Sequence, residues 1–485
     1  MEENFDVVII GAGISGLNAA YRLQSQFPTL RYTILEARDN LGGTWDLFKY
    51  PGIRSDSDLF TFGFAWHPWE SNNPIAHGPS IVKYLDGAAE KHGIKRHIKF
   101  QHRMLGADWS SLDNSWSVSV EHEGNTKSIS AQFLVFGTGY YDYDTPLQTE
   151  IPGIEQFQGQ VIHPQFWPEN LDYSDKKVVI IGSGATAITL LPNLAEKAKE
   201  VTMLQRSPTY IISLPNRASS LLSYILPRSL NSRLQRARHL YLTRFFFLFC
   251  QAFPNFSRWL LGRRTTKQLP SHIPYDPHFK PRYNPWDQRL CVCPDGDFFK
   301  SLHTGRAHIK TDTISQVTTS GIELNSGSRL DADIIVTATG LRLQLGGGTS
   351  LTIDGDPLSI PDKFSWHGMM LQDLPNAAFL LGYVNASWTL GADATSQFVC
   401  RLLQTMRDRG VKAAVPRLNP VTDKDLQPRR LLSLSSTYVL KAQNSFPKSA
   451  DRGPWVPRDN YFDDMKFAKN GSLEGLEFLG EKKGL

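Results

Sequence analysis

Residues 5–38 read FDVVIIGAGISGLNAAYRLQSQFPTLRYTILEAR. The unbroken apolar run at 7–10 has the pattern of a strand buried on both faces, as in a parallel sheet. It stops at Gly11-x-Gly13-x-x-Gly16, a helical pattern follows, and a second apolar run at 32–35 closes on Glu36. Each residue type has a physical reason. Gly11 permits a tight turn, Gly13 lets the backbone approach a pyrophosphate, and Gly16 lets helix and strand pack closely. The helix N-terminus then presents free N–H groups and a positive dipole end to phosphate. Glu36 stands twenty residues past Gly16, where a carboxylate accepts hydrogen bonds from a ribose diol. The stretch predicts a βαβ unit that holds a nucleotide with an unphosphorylated ribose.

A second copy lies at 177–206, KVVIIGSGATAITLLPNLAEKAKEVTMLQR. Gly182-x-Gly184-x-x-Ala187 again follows an apolar run, and alanine is an accepted third position. Here the second strand ends in Gln205-Arg206-Ser207 instead of an acid. A carboxylate would repel a 2′-phosphate, whereas a guanidinium pairs with one through a charge-assisted fork. The second site therefore calls for NADPH.

The chain has 485 residues, enough for two or three domains at roughly 150 residues each, and its composition is that of an ordinary globular protein. Residues 98–135 alternate in short strands with turn signals at 112–114 and 123–125, a small meander. Apolar strands ending in glycine recur as FLVFGTG (133–139), IIVTATG (334–340, after a hairpin at 325–327) and AFLLG (378–382). Strands that return so late imply a discontinuous first domain, 1–145 with 335–485, into which the second nucleotide domain, 146–334, is inserted. The expected fold is α/β, with two Rossmann-like dinucleotide-binding domains and a helical insertion at 212–280.

Net charge is +5, yet residues 212–280 alone hold eleven Arg or Lys and one Asp. That segment also contains FFFLF at 245–249. A basic amphipathic helix on anionic lipid is one reading; the favoured expectation is an insertion whose apolar stripe packs on its own domain. Arg244 and Arg258 bracket only thirteen residues, too short for the ~20 of a spanning helix. No nucleic-acid module accompanies the basic residues. Cys250, Cys291, Cys293 and Cys400 show no C-x-x-C spacing, so neither a dithiol centre nor a metal site is expected, and a reducing, cytoplasmic setting fits. The run at 7–10 leaves no room for a signal peptide ahead of the fold.

Two nucleotide domains in this arrangement resemble the glutathione-reductase-like FAD/NAD(P) architecture, but without the dithiol of its disulfide reductases. The segment between the two glycine loops is more specific. Phe157-x-Gly159-x-x-x-His163-x-x-x-Trp167-Pro168 matches the fingerprint of type I Baeyer–Villiger monooxygenases at every fixed position. A second pattern of that family is matched by Gly43-Thr44-Trp45 through Tyr50-Pro51-Gly52 to Asp56. The stretches at 45–58, 283–297 and 382–390 resemble the subgroup that contains the ethionamide-activating monooxygenase.

The resemblance implies FAD at the first loop, NADPH at the second, and insertion of one oxygen of O2 beside a ketone carbonyl through a C4a-peroxyflavin, giving an ester or lactone, with sulfoxidation of thioethers as a further outlet. It assigns Arg289 as the active-site cation and Asp56 as its partner. Such a cation favours an oxygen anion over its protonated form by ~1.4–4 kcal/mol. Cofactor contacts are implied for Gly11, Gly13, Gly16, Glu36, Gly43, Thr44, Trp45 and Asp56 on the FAD side. On the NADPH side they are implied for Gly182, Gly184, Thr186, Ala187, Arg206, Ser207 and Arg289, and Thr339 and Gly340 are implied as further cofactor contacts. His163 and Trp167 fall in the interdomain link, where a histidine can bond backbone and a tryptophan can anchor by burial. Trp388 and Leu390 are candidate substrate-pocket residues, and Asp58 is a solvated or capping acid. One departure is Gln288, where many relatives carry lysine before the active-site arginine. Two other readings stay open: a class B flavin monooxygenase acting on N or S centres only, and a non-catalytic FAD/NADPH-binding redox sensor.

Overall fold

The computed structural model describes residues 3–217 and 227–480. Its largest element is a nine-stranded sheet. The first strand, Glu3–Ile10, pairs in parallel with Tyr32–Leu35 on one side and with Asn125–Phe136 on the other. Asn125–Phe136 has two functions along its length. Its first half closes the antiparallel meander with Ser115–His122 and Arg103–Ser110, while its last residues pair in parallel with Ala377–Phe379. The turns fall where the sequence signals them, with Asn114, Glu123 and Gly124 all at positive φ. The late strand Ala377–Phe379 thus joins the sheet built by the first 136 residues.

The long helix Trp388–Arg409 follows that strand and packs on Ile14–Gln26. Asp393 on the former pairs with Arg22 on the latter at 2.7 Å. Apolar residues on the two faces of the sheet form two separate cores, so each face of the parallel strands is covered.

A second sheet of five strands is parallel throughout, in the order Ala307–Thr311, Glu200–Gln205, Lys177–Ile181, Ile334–Thr337, Gln160–Ile162. Ile334–Thr337 straddles the 334/335 boundary read from the sequence and lies wholly in this second sheet. Two chain segments connect the sheets, and they run side by side. Tyr141 bridges Leu343, Asp142 N donates to Arg342 O at 2.9 Å, and Gln344 N donates to Tyr140 O at 2.9 Å.

The basic segment carries two long helices, Arg228–Ala252 and Pro254–Thr266, and a single turn at Tyr275–His278; its residues 218–226 lie outside the described part. The expected inward apolar stripe forms in part, with Phe246 and Leu261 packed against Tyr210 and Leu290, Phe247 against Trp286, and Cys250 buried. Tyr241, Leu242, Phe245, Leu248, Phe253, Phe256 and Trp259 are nevertheless all exposed. No described helix is long and apolar enough to cross a membrane.

Candidate active site

The first glycine loop is held too tightly for a side chain at Gly11 or Gly16. Gly11 N donates to Leu35 O at 2.8 Å with φ +97°, and a Cβ on Gly16 would sit 1.9 Å from the carbonyl oxygen of Gly11. Glu36 is buried and accepts from Ala12 N (2.7 Å) and Arg38 N (3.0 Å). Burial raises its pKa, opposed by those two amides. A carboxylate offers about four acceptor positions, so two remain for a diol. Gly43 packs against Gly13, and Thr44 Oγ1 meets the Tyr143 hydroxyl at 2.9 Å. Trp45 stacks edge-on against Phe62.

At the second loop, Gly182 N donates to Leu204 O at 2.9 Å, and a Cβ on Gly182 would lie 2.2 Å from Ala338 O. Gly184 faces open space, with nothing within 4 Å of where its Cβ would be. Ala187 is buried beneath it. Arg206 and Ser207 are exposed at the strand end; Arg206 Nη2 donates to Thr437 Oγ1 at 3.3 Å and Ser183 Oγ donates to Ser207 O at 2.8 Å. Thr339 accepts from Thr149 Oγ1 at 3.0 Å beside Gly340. One cavity of about 1040 Å³ is lined by both glycine loops, by Glu36 and Arg206, and by Asp56 and Arg289. That is at the upper end of the range for small-molecule and cofactor pockets.

Asp56 and Arg289 share this cavity, but no ion pair joins them. Arg289 instead donates from Nη2 to the carbonyl oxygen of Tyr383 at 3.2 Å. Its surface is exposed toward the cavity, and Tyr140 raises its pKa most, against burial, with Tyr438, Tyr141 and Asp56 adding to the rise. The guanidinium is therefore a fixed cation. Asp56 is pushed up to about 6 by burial, against the pull of Arg54 and Arg289. Arg54 itself is buried and ion-paired to Asp297, with Nη2 donating to Oδ1 at 3.3 Å. Asp58 caps the short helix Leu59–Phe62, accepting from Thr61 N at 2.9 Å.

The segment 157–168 ties the two crossing strands together. His163 donates from Nε2 to the carbonyl oxygen of Gly340 at 3.3 Å and accepts at Nδ1 from Gln165 N at 3.3 Å. Burial lowers its pKa, opposed by the Gly340 bond, so the ring is neutral. Gln165 Nε2 donates to Asp142 O at 2.7 Å. The outgoing and returning segments are thus both gripped by one short stretch. Trp167 is buried in the core of the second sheet, Phe157 packs on its other face, and Pro168 is exposed. A Cβ on Gly159 would lie 2.3 Å from Asp333 O.

Trp388 lines the cavity, with its ring 4.7 Å from that of Tyr140 and Nε1 donating to Ser15 Oγ at 2.8 Å. Leu390 does not line it. Two residues along a helix is a turn of about 200°, which sends Leu390 into the protein interior, where it is buried. Gln288 lines the cavity beside Arg289. The sequence reading passed over Tyr140, Tyr141, Tyr438 and Arg54. Tyr140 and Tyr141 follow directly on the glycine turn at 137–139, a signal that could have marked them; Tyr438 sits in no motif. Among the described residues no cluster able to hold a metal occurs, and all four cysteines are free and buried.

A family model described as flavin-binding monooxygenase-like matches residues 4–346. The chain is 48% identical over 483 residues to the FAD-containing monooxygenase EthA of Mycolicibacterium smegmatis, covering 99% of this chain and 98% of that one. It is 45% identical to the probable FAD-binding monooxygenase AlmA of Acinetobacter baylyi, covering 100% of this chain and 97% of the relative. Among solved structures, an oxidized steroid monooxygenase bound to NADP superposes with a TM-score of 0.77 at 21% identity, over 98% of this chain and 99% of that one, a likeness of fold.

Proposed function

The chain belongs to the flavin-binding monooxygenase-like family, and on that premise we propose an FAD-dependent, NADPH-using monooxygenase built for Baeyer–Villiger oxidation of a ketone to an ester or lactone. The observation that carries the reading is a fixed cation, Arg289, in the same cavity as both glycine loops.

The donors present fit both cofactors. At the first loop, the glycine cradle and the spare acceptor positions of Glu36 suit an unphosphorylated ribose and a pyrophosphate, as in FAD. At the second, Gly184 leaves its space open and Arg206 has donors to spare beyond Thr437, as a 2′-phosphate needs. When bound, NADPH supplies a hydride, FAD passes the electrons to O2, and one oxygen atom becomes available for transfer while the other leaves as water.

The chain's own part is electrostatic. Arg289 holds an adjacent oxygen anion unprotonated, the form that attacks a carbonyl carbon, and it stabilises negative charge that builds on the carbonyl oxygen. Because the Tyr383 carbonyl fixes one edge of the guanidinium, the charge is placed before the substrate arrives. Asp56 supplies a carboxylate at the same cavity once the pH exceeds about 6. Trp388 and Tyr140 offer an aromatic wall that keeps water from the reacting atoms. His163, at the wall of the cavity, and Trp167, buried behind it, serve as the joint that sets the two nucleotide loops relative to each other.

The test is a product screen with linear, cyclic and aryl ketones alongside thioethers. Esters or lactones from the ketones support the reading. Sulfoxides alone would move the chain to the class that oxygenates N or S centres, and NADPH oxidation with no oxygenated product would favour a sensor.

A further inference from the structure

The helix Arg228–Ala252 turns one apolar arc outward. At 100° per residue, Leu230, Leu234, Tyr241, Phe245 and Leu248 fall within an arc of about 60°, and all five are exposed. The exposure is large: 64% for Tyr241 and 68% for Phe245. Its opposite face is turned to the protein, polar in the first half of the helix and apolar at Phe246 and Cys250 in the second. Gln235 is buried there, and Arg236 Nη1 donates to the carbonyl oxygens of Phe60 (2.9 Å), Thr61 (3.2 Å) and Gly63 (2.8 Å). Those carbonyls close the short helix Leu59–Phe62, whose last C=O groups have no partner within it. Anchored by Arg236 in its first half and by Phe246 and Cys250 in its second, the helix leaves the outer apolar arc to the surroundings.

The neighbouring helix extends that surface. Phe253, Phe256 and Trp259 are exposed, and ring centroids run from Phe245 to Phe249 (6.3 Å), Phe249 to Phe256 (6.0 Å) and Phe256 to Trp259 (5.4 Å). An exposed apolar surface this continuous marks a contact site, since solitary exposed apolar residues are the normal case. Its border is cationic. Arg233, Arg238, Arg263, Arg264 and Lys267 are exposed, and none of them forms an ion pair among the described residues. The one acid in 212–280, Asp276, is taken by Lys280 at 2.7 Å.

We propose that this face is the docking surface for an anionic lipid bilayer, with both helices lying in the interfacial plane. Phe, Tyr and Trp side chains enter the headgroup and acyl boundary while the arginines and the lysine meet lipid phosphates, the arrangement that gives interfacial helices their affinity. Charge decides between this partner and a second copy of the chain. A two-fold contact sets the same patch against itself, which would bring two cationic borders together, while the neighbouring acids Asp459 and Asp463 are engaged by Arg244 and Asn460. The proposal does not depend on which atom the enzyme oxygenates.

Flotation of the full-length, FAD-loaded enzyme with lipid vesicles tests it. Vesicles of phosphatidylcholine with about one third phosphatidylglycerol should carry the enzyme up the gradient, at least about tenfold more than phosphatidylcholine alone, and raised salt should reverse much of this. Phe245→Ser with Trp259→Ser, both exposed, should lower binding at least about tenfold. Arg233→Gln with Arg263→Gln should abolish the preference for phosphatidylglycerol. Flavin content and NADPH oxidation in vesicle-free buffer should stay at the wild-type level in both variants. Wild-type enzyme that remains soluble with either lipid overturns the proposal, as do variants that float like wild type. A dimer in light scattering that the Phe245/Trp259 variant converts to monomer, with no flotation of either, would make the face a self-interface and also overturn it.

Discussion

His163 donates from Nε2 to the carbonyl oxygen of Gly340, a residue 177 positions later on the segment that returns to the first sheet. Two residues on, Gln165 reaches the outgoing segment at Asp142 O, 2.7 Å away. One neutral imidazole and one amide therefore fasten both strands of the interdomain joint to the same short stretch. His163→Ala should fold and keep its flavin, because the ring lies outside the first glycine loop, but lose most oxygenated product while NADPH is still oxidised. Product and NADPH measured together check this, and wild-type coupling in the variant would contradict it.

Arg206 is exposed at the end of its strand with only a 3.3 Å bond to Thr437. As a phosphate partner it contributes a charge-assisted contact, so Arg206→Ala should cut kcat/KM for NADPH by about 10- to 100-fold and leave NADH nearly unchanged. Gln288 in place of lysine removes a second positive charge, so the wild-type preference rests mainly on Arg206. Equal kcat/KM for the two coenzymes in the wild type would defeat the assignment.

The backbone approach at Gly16 leaves no room for a methyl group, since a Cβ would lie 1.9 Å from Gly11 O. Gly16→Ala must push helix and strand apart, at a cost of about 1–3 kcal/mol, and should purify with little bound flavin. Gly184→Ala meets nothing within 4 Å and should fold normally. Its effect should appear only in coenzyme KM, which steady-state titration separates from stability.

Asp56 makes stability depend on pH with a definite sign. Its carboxyl is pushed up to about 6 by burial, from an ordinary value of 3.8, so the folded chain binds its proton more tightly than the unfolded chain does. That contribution is fully present below pH ~4 and is lost as the pH rises through about 6. In the cofactor-free chain, Asp56→Asn should therefore be more stable than wild type above pH 6, by an amount of order 1–3 kcal/mol, and no more stable below pH 4. Thermal midpoints across this range decide it. A variant that is less stable at pH 8 would show that the charges of Arg54 and Arg289 outweigh burial.

Much of the architecture is legible in short contiguous runs. The glycine loops, Glu36 and the turns at 112–114 and 123–125 are each set by local steric demands, which residue type alone reveals. What escapes is whatever depends on distant chain. Tyr438 and the Tyr383 carbonyl reach Arg289 from segments far along the sequence, and no spacing rule announces them. Asp56 and Arg289 line one cavity, but the direct pair expected between them does not form, and the Tyr383 carbonyl engages Arg289 instead. The helix Arg228–Ala252 shows the limit of periodicity. Apolar residues fall on both of its faces, and the contacts of Arg236 with three carbonyls and of Phe246 with Tyr210 and Leu290 determine which one turns inward.

The central claim is that the Arg289 cation makes oxygen transfer to a carbonyl carbon work, and product analysis under ¹⁸O2 tests it directly. Wild-type enzyme with NADPH and a ketone should give an ester or lactone carrying one labelled oxygen, while Arg289→Ala should bind flavin and yield essentially none. Labelled ester from the alanine variant at the wild-type rate, or no ester from any ketone with the wild type, would contradict the account.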